Sequence, residues 1–284
     1  MVIASFARSL CGALVALCCI LLLTACSATP ARSAPEVVDL TSELGDLDAT
    51  FVLRDCSTGA TRIYRPDRAA TGFIPASTFK IPNSMIALET GVADGSEFAI
   101  AWDRQRDPAS DGWPEAWKAD QTLRTAFRHS VVWYYRELAR RIGAERMSEW
   151  LRRLDYGNRS TEGGLDRFWL DGAIRISALE QVDFLERFVG GRLPLRPSTV
   201  EAMRSIMVIE ETPGYRLSGK TGTAVPEIGL QIGWLVGFVE RPDGRTHVFA
   251  FNMSHPRVWQ EYSRERRVDL VKQVLCRLEV IGPA

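Results

Sequence analysis

Apolar and polar residues alternate with changing rhythm along this chain. Two short runs come first: Ala49–Leu53 and Thr61–Tyr64 read as two strands joined by a turn at Ser57-Thr58-Gly59. Helical spacing takes over at Phe79–Leu88 and ends near Gly91, after which residues 93–120 are polar, Trp- and Pro-containing and weakly periodic. Two helices follow, about 133–142 (Leu138, Ala139, Ile142) and 145–154 (Met147, Trp150, Leu151, Leu154), with Gly143 as the break. Ser177-Ala178-Leu179-Glu180 is a capping box, opening a helix that turns Val182, Leu185 and Phe188 inward. Pro197 starts a further helix through Met207. The last third returns to strands at 215–222, 231–239 and 246–253, with a hairpin turn at Pro242-Asp243-Gly244. A closing helix at about 265–278 lines up Val268, Val271, Leu275 and Leu278. Strands at both ends and helices between them predict an α+β fold. One antiparallel sheet is built from N- and C-terminal strands, flanked by helices, with a mostly helical insertion.

The N-terminus follows a different pattern. Arg8 precedes an apolar run, Leu10 to Leu23, shorter than the roughly 20 residues of a membrane span, so residues 1–25 read as a secretory signal. The run ends Leu23-Thr24-Ala25-Cys26, the arrangement that a lipoprotein signal peptidase cuts before a lipidated cysteine. Ser27-Ala28-Thr29-Pro30-Ala31 offers an ordinary cleavage site instead. Either reading sends the protein to the periplasm, and the first anchors it to the membrane through Cys26. Residues 26–45, rich in Ala, Ser, Thr and Pro, read as a tether, leaving one domain at 46–280. Of six cysteines, Cys56 and Cys276 fall in that domain, and as two separate thiols or one disulfide both fit an oxidising compartment. The net charge of zero leaves no electrostatic footprint for nucleic acid. His129, His247 and His255 are scattered, so no metal site is expected.

Candidate chemistry begins with Ser77-Thr78-Phe79-Lys80 at the start of a predicted helix. At i and i+3 the two side chains share a face, and a serine needs a base within hydrogen-bond reach to act as a nucleophile. Ser-x-x-Lys alone is weak, since a capped helix followed by a solvated lysine gives the same string. Two further elements fall in order: Ser130-Val131-Val132 at the start of a predicted helix and Lys220-Thr221-Gly222 in a predicted strand. The latter offers a cation and a hydroxyl for a carboxylate, with a glycine that admits a ligand to the backbone. The chain has four lysines (Lys80, Lys118, Lys220, Lys272), and two occupy motif positions. His129 adjoins Ser130, but neighbouring residues on a helix do not face each other.

Pro75-Ala76-Ser77-Thr78-Phe79-Lys80-Ile81-Pro82-Asn83, Ser130-Val131-Val132, Tyr156-Gly157-Asn158, Phe168-Trp169-Leu170-Asp171-Gly172 and Lys220-Thr221-Gly222 together resemble the class D (oxacillinase-type) serine β-lactamases, over roughly residues 46–280. The resemblance implies a β-lactamase/transpeptidase-like fold and the hydrolysis of β-lactam antibiotics through an acyl-enzyme. Ser77 would be the nucleophile, and Lys80, carboxylated by carbon dioxide, the base in both half-reactions. Trp169 would donate its indole N–H to that carbamate, while Val132 and Leu170 keep the pocket dry. Ser130 would relay a proton to the leaving nitrogen. Lys220, Thr221 and Gly222 would meet the substrate carboxylate, and the backbone N–H groups of Ser77 and Thr223 would form the oxyanion hole. An arginine beyond the final strand completes the carboxylate site; spacing points to Arg264 and leaves Arg266 and Arg267 open. Tyr156-Gly157-Asn158, after a helix, reads as a turn with a structural role. A penicillin sensor or a transpeptidase that stays acylated would share this site, whereas a binding lipoprotein would not need the full set of motifs.

Overall fold

The computed structural model describes residues 34–227 and 229–282; residues 1–25, expected to be a secretory signal, and Cys26 lie outside them. In chain order, β1 (Glu36–Val37) and α1 (Thr41–Leu44) lead into the hairpin of β2 (Asp48–Asp55) and β3 (Thr61–Tyr64), followed by α2 (Pro66–Ala70). A 3-10 turn at Ala76–Phe79 runs into α3 (Lys80–Glu89). Short strands β4 (Ala99–Ile100) and β5 (Gln121–Thr122) flank a second such turn at Glu115–Trp117. Five helices follow: α4 (Leu123–His129), α5 (Val132–Ile142), α6 (Ala144–Leu154), α7 (Ala178–Val189) and α8 (Pro197–Ile206). Then come β6 (Val208–Glu211), β7 (Arg216–Glu227), β8 (Leu230–Glu240), β9 (Thr246–His255), α9 (Val258–Glu261) and α10 (Arg264–Arg277).

The main sheet has the order β1-β3-β2-β9-β8-β7-β6. β2 pairs antiparallel with β9, Phe51 opposite Phe251, so the two ends of the domain are neighbours as expected. The short β1 departs from the antiparallel pattern and lies parallel to β3. Alternation sorts the strand side chains onto two faces. Val52, Trp234, Val236, Val248 and Ala250 join the core under the helical insertion. Phe51, Leu53, Leu235, Phe249 and Phe251 join the core beneath α10. α7 lies on β2 and β9 from the first side, and α10 lies on β8 from the second.

Two expectations change, and the state of the two cysteines is answered. Residues 36–44, grouped by composition with the tether, are part of the fold: β1 extends the sheet, and Leu40 and Leu44 are buried in the core beneath α10. α4 was not evident, being seven residues long and capped by Thr122 and Thr125 in place of the usual Ser/Thr–Glu pair. Ser130 therefore closes α4 as its left-handed C-cap, φ +58°, two residues before α5 opens. Cys56 and Cys276 are free thiols. They pack into the two cores on opposite faces of the sheet, so no bridge can form between them.

Candidate active site

Ser77 sits in the 3-10 turn that precedes α3, and Lys80 is the first residue of that helix. The Lys80 Nζ donates to the Ser77 Oγ at 2.9 Å. Ser77 is half-buried, so its hydroxyl remains reachable, whereas Lys80 is wholly enclosed. With no carboxylate to offset it, burial brings the lysine down to about 7 from its usual 10.5. Its ammonium end lies 5.1 Å from the centroid of the Tyr135 ring, a residue on α5 that sequence reasoning did not single out. Immediately before the serine, Ala76 has φ +49°, a region that costs an L-residue roughly 1–2 kcal/mol. Neighbouring bonds hold it there. Thr78 directs both its N–H and its hydroxyl to the Pro75 carbonyl, at 3.1 and 2.7 Å, and the Trp234 indole donates to the Ile74 carbonyl at 2.9 Å. Gln181 of α7 donates to the Thr78 hydroxyl and to the Tyr156 phenol, all three side chains being buried.

β7 brings the second half of the site. The Lys220 Nζ donates to the Ser130 Oγ at 3.0 Å and to the Thr221 carbonyl at 3.0 Å, joining motifs ninety residues apart. Gly222 is what lets the strand come this close: a Cβ there would stand 2.9 Å from the Pro75 carbonyl oxygen and 3.2 Å from the Ser77 nitrogen. Lys220 is held well below the usual lysine range, first by burial and then by the positive charges of Lys80, Arg264 and Arg267. Lys220 and Arg264 border one cavity, and an anion bound there would offset the repulsion between them.

The three arginines, all in the first turn of α10, separate clearly. Arg264 borders the cavity lined by Lys220 and Thr221 and donates to the Arg128 carbonyl at 2.6 Å. Arg266 borders a different cavity, with Ser42, Tyr215 and Cys276. Arg267 is buried; it donates to the Gly222 carbonyl at 2.6 Å and to the Thr223 hydroxyl at 2.8 Å, bracing the strand from its far side.

Trp169 is fully buried and stacked on Phe79, centroids 5.2 Å apart, with Phe168 edge-on to the same ring. Its indole N–H finds no acceptor among the described residues, an expensive omission unless a ligand or modification supplies one. Val132 and Leu170 are each half-buried. Tyr156-Gly157-Asn158 makes a turn pinned to residues 173–175: the Asn158 side chain donates to the Ala173 carbonyl and accepts from the Arg175 N–H. Gly157, at φ +52°, passes so near that a Cβ would be 2.2 Å from the Arg175 oxygen. Among the described residues no group of three or more His, Cys, Asp or Glu side chains is placed to hold a metal ion.

Comparison with known proteins agrees with this geometry. A family profile described as "Penicillin binding protein transpeptidase domain" matches residues 50–275. The chain is 44% identical over 190 residues to beta-lactamase OXA-48 of Klebsiella pneumoniae, covering 66% of this chain and 69% of that one. It is 38% identical over 216 residues to the probable beta-lactamase YbxI of Bacillus subtilis (76% and 78% covered). The regulatory protein BlaR1 of Bacillus licheniformis is 34% identical over 203 residues, which cover 72% of this chain but 33% of that protein. Among solved structures, a class D beta-lactamase from Sebaldella termitidis superposes with a TM-score of 0.80 at 29% identity, covering 88% of this chain and all of that one. The class D enzyme YbXI from Nostoc gives 0.77 at 34% identity, covering 84% of this chain and 96% of that one. The chain belongs to the class D β-lactamases, serine hydrolases that destroy β-lactam antibiotics and so confer resistance to them.

Proposed function

We propose that Ser77 is the nucleophile that the β-lactam acylates and that Lys80, carboxylated by carbon dioxide, is its base. The observation that carries this reading is the 2.9 Å contact between Lys80 Nζ and Ser77 Oγ in a pocket that favours the neutral amine. Only a neutral amine can take up carbon dioxide, and burial supplies it near pH 7. The orphaned indole N–H of Trp169 fits the same group, because a carbamate in an apolar pocket needs a donor. When present, the carbamate supplies oxygen atoms able to accept a proton. Val132 and Leu170 would limit water around it.

In acylation the Ser77 oxygen bonds to the lactam carbonyl carbon as its proton passes to the base at Lys80. The C–N bond of the ring breaks, and Ser130, held by Lys220, delivers a proton to the departing nitrogen and regains one from the base at Lys80, which is then free to act again. The backbone N–H groups of Ser77 and Thr223 would stabilise the oxyanion. In deacylation water bonds to the acyl carbon, loses a proton to the base at Lys80, and Ser77 leaves with a proton restored. Lys220, Thr221 and Arg264, beside Gly222, would bind the substrate carboxylate, since Arg264 borders their cavity. Export to the periplasm, with a lipid on Cys26, completes the proposal; labelling by radioactive palmitate that survives in Cys26→Ser would refute the anchor.

The match to a regulatory protein raises a second reading, a domain that acylates once and stays acylated. Nitrocefin separates the two. Many turnovers per enzyme, lost on degassing at acid pH and restored by bicarbonate, are expected. A single stoichiometric burst would favour the sensor, and turnover indifferent to bicarbonate would sink the modified lysine.

A further inference from the structure

We propose that Trp117 is a positioning residue for Ser130, tying down both flanks of the turn that carries it. The proposal rests on the reading of Ser130 as the proton relay. Ser130-Val131-Val132 is bracketed by His129 and Trp133, and Trp117 bonds to both. Its indole Nε1 donates to the His129 carbonyl at 2.8 Å, and its own carbonyl accepts from the Trp133 Nε1 at 2.7 Å. A single residue, thirteen positions upstream of the relay serine, thus spans the whole motif.

The turn needs such a brace. Ser130 has φ +58°, a conformation that a residue with a Cβ keeps only when its surroundings over-determine it. It is also the C-cap of α4, where the last carbonyls of a helix lack intrahelical donors. Each is met at or beyond the cap: Ala126 by the Val131 N–H, Phe127 by the Ser130 N–H, Arg128 by Arg264 from α10, and His129 by Trp117. Trp133 is 2% exposed, so its N–H would be stranded without the Trp117 carbonyl. Trp117 is in turn packed edge-on against Trp113, at 5.5 Å, and Trp113 against Trp102, at 6.2 Å. The Trp102 indole is fixed to the Asp107 carbonyl at 2.9 Å. The weakly periodic stretch before α4 is therefore a strap, laid across the entrance to α5 and fastened by indoles. Its effect is to hold the Ser130 hydroxyl where Lys220 meets it, and where a leaving nitrogen would need a proton.

The consequence is confined to one half-reaction. Ser130 serves the departing ring nitrogen, so loosening it should slow acylation and spare deacylation. Trp117→Phe keeps an aromatic ring against Trp113 and removes the indole N–H along with part of the ring. Acylation by benzylpenicillin, followed by stopped flow with mass spectrometry of the adduct, should slow by about tenfold to a hundredfold, the range expected for a displaced catalytic group. The deacylation rate constant and the melting temperature should stay near wild type. Trp133→Phe, which frees the other tie, should slow acylation in the same direction, and it carries the test should Trp117→Phe not fold. Ser130→Ala separates the two levels of the argument. If it acylates at the wild-type rate, the relay reading itself fails. If Ser130→Ala blocks acylation while the two tryptophan variants acylate normally, the positioning role of Trp117 is overturned. Equal loss of acylation and deacylation with a lowered melting temperature would also overturn it, making Trp117 a general structural residue.

Discussion

A lysine enclosed without a carboxylate works against the stability of the fold that contains it. The unfolded chain keeps the Lys80 proton up to about pH 10.5, whereas the folded chain releases it near 7, so the unfolded state binds more protons between those values. Stability should rise with pH across that window, and the cost of the buried lysine should be greatest at and below pH 7. Lys80→Met, inactive, is therefore expected to be more stable than wild type by roughly 1–3 kcal/mol at pH 6 in degassed buffer, with the gap closing toward pH 10. Denaturant melts at the two pH values measure it; an unchanged or lower midpoint at pH 6 would contradict the burial argument. Ser77→Ala should fold normally and show no covalent adduct by mass spectrometry after benzylpenicillin. Trp169→Ala should lose deacylation more than acylation and need more bicarbonate for recovery, because it removes the one N–H proposed to meet the carbamate.

β7 and α10 act together at the next scale. The strand approaches the turn at 75–78 across Gly222, and Arg267 braces it from behind through the Gly222 carbonyl and the Thr223 hydroxyl. Gly222→Val should push the strand from the Ser77 nitrogen and spoil the oxyanion hole, cutting kcat by about a hundredfold. The two arginines should differ in kind. Arg264→Ala is expected to raise KM for carboxylate-bearing penicillins more than it lowers kcat, as loss of a contact present in ground and transition states alike. Arg267→Ala should lower the melting temperature as well, since it takes a donor from a buried carbonyl and a half-buried hydroxyl. Steady-state kinetics and thermal melts on both variants would show it, and the reverse pattern would exchange their roles.

At the scale of the molecule, the N-terminal segment belongs to the domain. Leu40 and Leu44 are buried beneath α10, and full burial of each is worth about 1.5–3 kcal/mol. A chain starting at residue 45 should therefore melt at least several degrees below one starting at residue 34, and identical melting would refute the assignment. Reducing agent should leave the melting temperature unchanged, because Cys56 and Cys276 face opposite sides of the sheet.

The amino-acid order by itself determined what depends on short-range geometry. Ser77 and Lys80, three residues apart, could be paired from helical spacing alone, and the capping box at Ser177 located α7 because its partners lie within one turn. Short apolar runs bounded by turn residues located the strands, since a strand buried on both faces needs no alternation. α4 escaped because seven residues give too little periodicity, and the segment at 36–44 because its few buried side chains are diluted by polar neighbours. Whatever depends on distant residues was decided by the tertiary structure. Lys220 meets Ser130 only because β7 lies beside the α4–α5 turn, and Arg264 and Arg267 diverge only because α10 presents them on different sides. The lowered proton affinity of Lys80, the unsatisfied indole of Trp169 and the strap of Trp117 all come from enclosure and long-range contact, which no local pattern of residues encodes.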